Sequence, residues 1–186
     1  MPTKQDAPDL LNKYVKSESL KRHCFSVAFV MEAYAKKYGQ SPDEQEKWFI
    51  SGLLHDFDFE IFPTIPEHCV EGSKILKELG YPQDIIEAIL GHAQYSGVER
   101  KSIMAKCLFA VDELCGLIIA HAHVRPGKFE GMDSDSVKKA MKKKAFAAAI
   151  NRDDREKGIA EVGVNKDEHF NLVISALRDK ATKLGF

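Results

Sequence analysis

The stretch Ser51-Gly52-Leu53-Leu54-His55-Asp56-Phe57-Asp58-Phe59-Glu60 constrains the chain more than any other. It sets a histidine and an aspartate side by side at the end of an apolar helical run. Burying an imidazole and a carboxylate costs far more solvation than burying two leucines unless something pairs with them. A metal ion satisfies both groups at once. Further candidate ligands lie on either side of the pair, His23 before it and His68, His92 and Asp112 after it. Such imidazole and carboxylate sets suit hard or borderline divalent ions, whereas structural zinc sites usually recruit thiolates.

Taken singly, each of these residues has a plainer reading. His23 lies close to the apolar stripe Leu20, Val27, Val30, Met31 and Tyr34 and fits a satisfied core histidine. His68 fits an exposed residue at a helix start, His92 a helix-end cation, and Asp112 a salt-bridged core aspartate. Their order is what argues for a site. His23, then His55-Asp56 in the context GLLHDFD, then Asp112, resembles the HD superfamily of metal-dependent phosphohydrolases over roughly residues 20 to 120. His68 in EHCVEGSKIL and His92 in IIEAILGHAQY are similar to the extra ligands of its HDIG-like, two-metal branch. That branch often has Ile-Gly after the pair, sometimes followed by Lys. Here Phe57-Asp58-Phe59 follows instead, so the role of that lysine does not carry over.

The resemblance implies one or two divalent transition metal ions (Mn, Fe, Co, Ni or Zn). His23, His55, Asp56 and Asp112 would hold the first and His68 and His92 the second. Asp56, between the two groups in the chain, is the natural bridge. Ions about 3.5–4 Å apart generate a hydroxide near neutral pH that attacks phosphorus in line. The implied activity is phosphohydrolysis of a phosphate monoester or small nucleotide, with a small phosphorylated molecule as partner. Two alternatives share the pattern: an HD-fold di-iron oxygenase and a non-catalytic ligand-binding HD domain. For proton handling the chain offers Asp58 and Glu60, in the Pro63- and Pro66-containing loop after the pair. For the phosphate oxygens it offers Arg125, Lys128 and Arg152, which read equally well as surface charges in turns.

Periodicity and caps predict helices nearly throughout. Ser17 or Ser19 starts one that Gly39 stops; Ser41-Pro42-Asp43-Glu44 starts the next with a capping box. Trp48, Phe49, Leu53 and Leu54 turn that second helix inward. Helices follow from His68 to Leu79, through Ile85–Leu90 to His92, from about Lys101 to Ala120, and from Asp133 to Ile150. The lysines 138, 139, 142, 143 and 144 form a solvated face of the last of these, with Met141 and Phe146 inward. A shorter helix follows Asn151, and Asn165 with Glu168 caps the final one, on which His169 reads as a surface residue.

The expected fold is therefore an all-α HD-domain bundle of about nine helices. It forms one domain over 1–186, with a metal-binding core at about 20–120 and C-terminal helices over 121–186. With 44% hydrophobic residues a core forms without disulfide support, so the scattered Cys24, Cys69, Cys107 and Cys115 read as reduced and packed. A formal charge of −1 argues against a polyanion-binding surface, so no nucleic acid partner is expected. The opening MPTKQDAPDLLNKY has no apolar signal region and no run reaches membrane length, which points to the cytoplasm.

Overall fold

The computed structural model describes residues 2–143 and 152–186. Among these residues it is all-α, with nine α-helices: α1 (Asp6–Tyr14), α2 (Glu18–Lys37), α3 (Pro42–Leu54), α4 (Val70–Glu78), α5 (Gln83–His92), α6 (Ile103–Val124), α7 (Ser134–Met141), α8 (Arg152–Val162) and α9 (Lys166–Arg178). Short 3-10 turns occupy Gln94–Ser96 and Ala181–Leu184. Among the described residues, no helix is long and apolar enough to cross a membrane.

Local chemistry sets the helix ends. The Ser17 hydroxyl accepts from the Leu20 N–H, and the Ser41 hydroxyl from the Glu44 N–H with Pro42 in the first turn. The reciprocal half of the expected box at Ser41 is not made, because the Glu44 carboxylate pairs with Lys47 at 2.7 Å. Gly39 and Gly80 close α2 and α4 at φ of 64° and 80°. In both, the glycine N–H and the one after it reach back to helix carbonyls (Gly39 to Lys36 and Gln40 to Ala35; Gly80 to Lys77 and Tyr81 to Leu76), the double bond of a left-handed cap.

Helices α2 and α6 form the axis of the bundle. Helix α2 packs on α3 and α6, while α5, α8 and α9 also pack on α6. Val27, Val30, Met31 and Tyr34 of α2 are fully buried, as are Leu53 and Leu54 of α3. Helix α6 buries residues around most of its circumference, from Met104 to Ala122. The approach of α3 to α2 depends on Gly52. A Cβ there would lie 2.8 Å from Ala28 Cα and 2.9 Å from Ala28 N, so any side chain pushes the two backbones apart.

Four expectations need correction. The turn carrying His68 precedes α4 rather than starting it, and Cys69 at φ 55° delays the helix. Helix α6 runs a turn beyond Ala120 to Val124, which makes Arg125 its C-cap. The helix read from Asp133 to Ile150 is α7 as far as Met141, and Lys144, Phe146 and Asn151 lie outside the described residues. His169 is fully buried rather than on the surface. Its Nδ1 accepts from the Tyr34 hydroxyl and its Nε2–H donates to the Ala110 carbonyl, so one ring ties α9 to α2 and α6. The four cysteines are free and buried, as expected.

Two outcomes follow from this packing. Gly52→Ala is expected to destabilise the protein by about 1–3 kcal/mol, read as a lowered midpoint in chemical denaturation; an unchanged midpoint would show that α2 and α3 separate without cost. Burial pushes the His169 imidazole down from 6.5 to about 4, so the unfolded chain binds the proton more readily. This neutral ring contributes fully above its unfolded value. Its contribution falls as pH drops from 6.5 and is lost near 4, a change of about 3 kcal/mol. The stability difference between the wild type and His169→Gln should narrow over that window, whereas a constant difference would refute the buried neutral ring.

Candidate metal centre

The end of α3 delivers His55 and Asp56 to the interior beside His23 on α2 and Asp112 on α6. His23 Nε2 lies 3.2 Å from His55 Nε2 and 2.9 Å from Asp112 Oδ1, and His55 Nε2 is 3.3 Å from that same Asp112 oxygen. Asp56 Oδ2 faces this group at 3.3 Å from His55 Nε2 and 3.7 Å from His23 Nε2. The other Asp56 oxygen, Oδ1, faces away, at 3.1 Å from His68 Nε2 and 3.5 Å from His92 Nε2. Two groups of donor atoms result, His23 with His55 and Asp112, and Asp56 with His68 and His92, each compact enough to hold a metal ion. One carboxylate reaches both.

The far nitrogens of three rings are fixed by partners that accept hydrogen bonds. His55 Nδ1–H donates to the Gly52 carbonyl at 2.8 Å, and His92 Nδ1–H to the Ile89 carbonyl. His68 Nδ1–H donates to Asp58 Oδ1 at 3.0 Å, and Asp58 Oδ2 accepts the Gly72 N–H at 3.0 Å. Acceptors behind Nδ1 turn these three Nε2 atoms toward the cluster centre, the arrangement that orients metal-ligating histidines. Gly72 is required here, since a Cβ at that position would run into the Asp58 carboxylate.

The cluster demands positive charge. Burial disfavours an imidazolium at His55, yet Asp56 and Asp112 raise its pKa well above the usual imidazole range. Burial likewise opposes the charge on Asp112, and His55 and His23 nonetheless hold its carboxyl well below the usual carboxylate range. His68 is raised to about 9, with burial opposed by Asp56 and Asp58. Deprotonated carboxylates with Nε2 atoms that favour a cation are the donor chemistry of a divalent metal. Thiolates are not part of it: burial pushes the Cys24 and Cys69 thiols up to about 12.

Above the cluster opens a pocket of about 310 Å³ lined by Asp56, His68, His92 and Asp112 and by Tyr95, Phe109, Glu113, Asp154 and Arg155. Four of these side chains are carboxylates and one is a guanidinium, so an anion enters only when cations offset the acids. Arg155 is buried, with Nε and Nη2 both on Glu156 Oε1 and Nη1 3.8 Å from the weakly accepting Met141 sulfur.

The sequence-based expectations divide sharply. All six expected metal ligands, His23, His55, Asp56, His68, His92 and Asp112, converge on this floor. The expected catalytic groups do not. Asp58 is fully buried behind His68 with both oxygens occupied. Glu60 accepts the Lys16 and Ser17 N–H groups at 2.8 Å each and so secures the entry to α2. Arg125 Nε and Nη2 donate to the Lys128 and Glu130 carbonyls and Lys128 Nζ to the His123 carbonyl, holding the turn after α6. That turn is about 20 Å from Asp112 along the helix axis. The Arg152 side chain lies outside the described residues. Among the described residues the arginine that lines the pocket is Arg155, which the sequence reading does not single out. The only local signal for it was its place in Asn151-Arg152-Asp153-Asp154-Arg155, which sequence alone could not orient.

Among the described residues this is an all-α bundle whose clustered imidazoles and carboxylates are positioned to hold metal. The chain belongs to the HD domain family, whose model matches residues 20–117, just over half of its length and all six cluster residues. Members of this family are typically metal-dependent phosphohydrolases. No curated protein and no solved structure matches the chain.

Asp56→Ala is expected to remove most divalent metal bound by the purified protein, because both donor groups use this carboxylate. His68→Ala combined with His92→Ala should lower the content toward one ion per chain with the far-ultraviolet helical signal intact. Asp58→Asn should weaken binding at that second group by about 10–100-fold. Elemental analysis and competition with a chelator read all three; full metal content in the Asp56 variant would defeat the assignment.

Proposed function

We propose that this HD domain is a two-metal phosphohydrolase acting on a phosphate monoester or a small nucleotide. In this reading His23, His55, Asp56 and Asp112 hold one divalent ion among Mn, Fe, Co, Ni or Zn, and Asp56, His68 and His92 hold the second. The observation that carries it is the Asp56 carboxylate, whose two oxygens face two separate imidazole groups at 3.1–3.7 Å. A single carboxylate presenting one oxygen to each donor group is the arrangement of a bridging ligand. The donor set fits: three of the four histidines have Nδ1 on an acceptor and Nε2 turned inward.

When bound, such ions supply Lewis acidity toward the phosphate oxygens and an activated water for the attack on phosphorus. The chain does the rest. Arg155 Nη1, whose one acceptor among the described residues is the Met141 thioether, donates to a phosphate oxygen at the pocket wall, and the Glu156 carboxylate keeps the guanidinium plane in place. Glu113, exposed beside Asp112 at the pocket rim, exchanges the proton with solvent. Tyr95 and Phe109 provide flat walls for the organic part of the substrate, and the Tyr95 hydroxyl donates to the His68 carbonyl at 3.3 Å, which holds that wall against the metal floor.

Phosphate release from monoesters should proceed under anaerobic conditions with manganese or cobalt in place of iron, because hydrolysis needs no redox change. Arg155→Ala should lower kcat/KM about 10–100-fold with metal content unchanged, and Arg155→Lys should recover part of the loss. Oxygen-dependent turnover of a phosphate-free substrate, abolished when iron is exchanged for manganese, would instead establish an oxygenase.

A further inference from the structure

Beyond the metal pocket lies a second cavity of about 440 Å³, whose lining includes Gln94, Arg100, Lys106 and Lys157. Gln94 lines both cavities. Its Nε2 donates to Asp154 on the metal side, and its Oε1 accepts from Lys157 Nζ at 2.7 Å on the far side. This side chain is the one lining residue that the two cavities share, so they lie side by side across it. The same two helices wall both: α6 contributes Phe109, Asp112 and Glu113 to the first and Lys106 to the second, and α8 contributes Asp154 and Arg155 to the first and Lys157 to the second. Lys106 stands about 9 Å from Asp112 along the α6 axis.

The charge of the second compartment is arranged for an anion. Its half-buried acid, Glu161, is already matched by a bidentate Arg100 at 2.6 and 2.7 Å. Arg100 is in turn fixed by the Gly91 carbonyl at 2.9 Å and by the Phe109 ring, 3.8 Å from the guanidinium carbon. Arg100 and Glu161 thus form a neutral wall. Glu99 is largely exposed and turned to Lys101 at 3.9 Å. What remains is Lys106 and Lys157, which act on Glu161 only at longer range than Arg100 does, and the Lys157 ammonium donates to the neutral Gln94 amide. Two ammonium groups on the lining, with Glu161 matched by Arg100 and Glu99 left as the other acid, suit a carboxylate or phosphate group.

We propose that this compartment is an anion subsite, and that the substrate carries a second anionic group at the end remote from the reacting phosphate. The subsite deepens the phosphohydrolase reading and rests on it for the first group alone. Lys106 and Lys157 select doubly anionic substrates, and Gln94 moves aside or hydrogen-bonds to the connecting segment.

The test uses phosphonates, which lack the scissile ester oxygen. Alkylphosphonates, α,ω-alkane bisphosphonates and ω-carboxyalkylphosphonates of increasing chain length are titrated calorimetrically into the manganese-loaded protein. For chains long enough to span the groove, a second anionic group should tighten binding at least about tenfold over the simple alkylphosphonate. The Lys106→Gln, Lys157→Gln double variant should lose that gain while binding the simple alkylphosphonate as the wild type does. Whether the bisphosphonate or the carboxylate series gains more identifies the second group. If alkylphosphonates bind but no chain length yields a gain, or the gain survives in the double variant through metal chelation alone, the subsite is refuted and the hydrolase reading stands. If no phosphonate binds in a metal-dependent way, both fall together.

Discussion

The Asp56 carboxylate is the constraint on which the rest of the structure depends. It is held between two sets of imidazole nitrogens that arrive from four different parts of the chain: α2, the end of α3, the turn before α4 and the end of α5. A carboxylate in that position is stable only if each of these segments is rightly placed, and three of the four reach it at a helix end or the turn before a helix. Helix ends are therefore part of the site. His55 and His92 both use a carbonyl of the final helical turn, three residues back, as the acceptor for Nδ1. Those carbonyls would otherwise be left without an intrahelical donor, so helix termination and the orientation of the two rings are achieved by the same hydrogen bond.

Packing then determines how close the donor atoms come. Gly52 lets α3 rest on the backbone of α2 at Ala28, which brings His55 Nε2 within 3.2 Å of His23 Nε2. Gly72 leaves room for Asp58 to stand behind His68. These two glycines lie outside any turn and outside the positive-φ region; their use is close approach, not backbone freedom. The buried His169, tied to Tyr34 and Ala110, joins α9 to α2 and α6, the helices that carry His23 and Asp112.

Electrostatics separates the floor of the pocket from its walls. The floor favours cations strongly enough that burial does not prevent charging of His55. The upper wall offers Arg155, and the adjoining cavity offers Lys106 and Lys157 beside a neutralised Arg100–Glu161 pair. Divalent ions on the floor would turn a net acidic pocket into one that attracts phosphate, with the protein's own cations placed farther along the groove.

Much of this was determined by the sequence alone. The caps at Ser17 and Ser41, the glycine stops at 39 and 80, and the inward faces of α2 and α3 rest on hydrogen bonds and periodicities that span a few residues, so they are legible in the linear chain. The six His and Asp residues were legible for a related reason, since a polar residue on an apolar helix face needs a partner wherever the helix goes. Only the tertiary structure decided which of the remaining charges reach the pocket. Asp58 and Glu60 lie next to the pair in sequence yet point to His68 and to the start of α2. Arg125 and Lys128 hold a turn at the far end of α6. Arg155 arrives from α8, outside the region that the family model matches, and Lys157 enters the neighbouring cavity two residues later. No local rule fixes where a helix some forty residues beyond Asp112 docks; long-range packing against α6 fixes it, through burial that is non-directional and spread over many side chains.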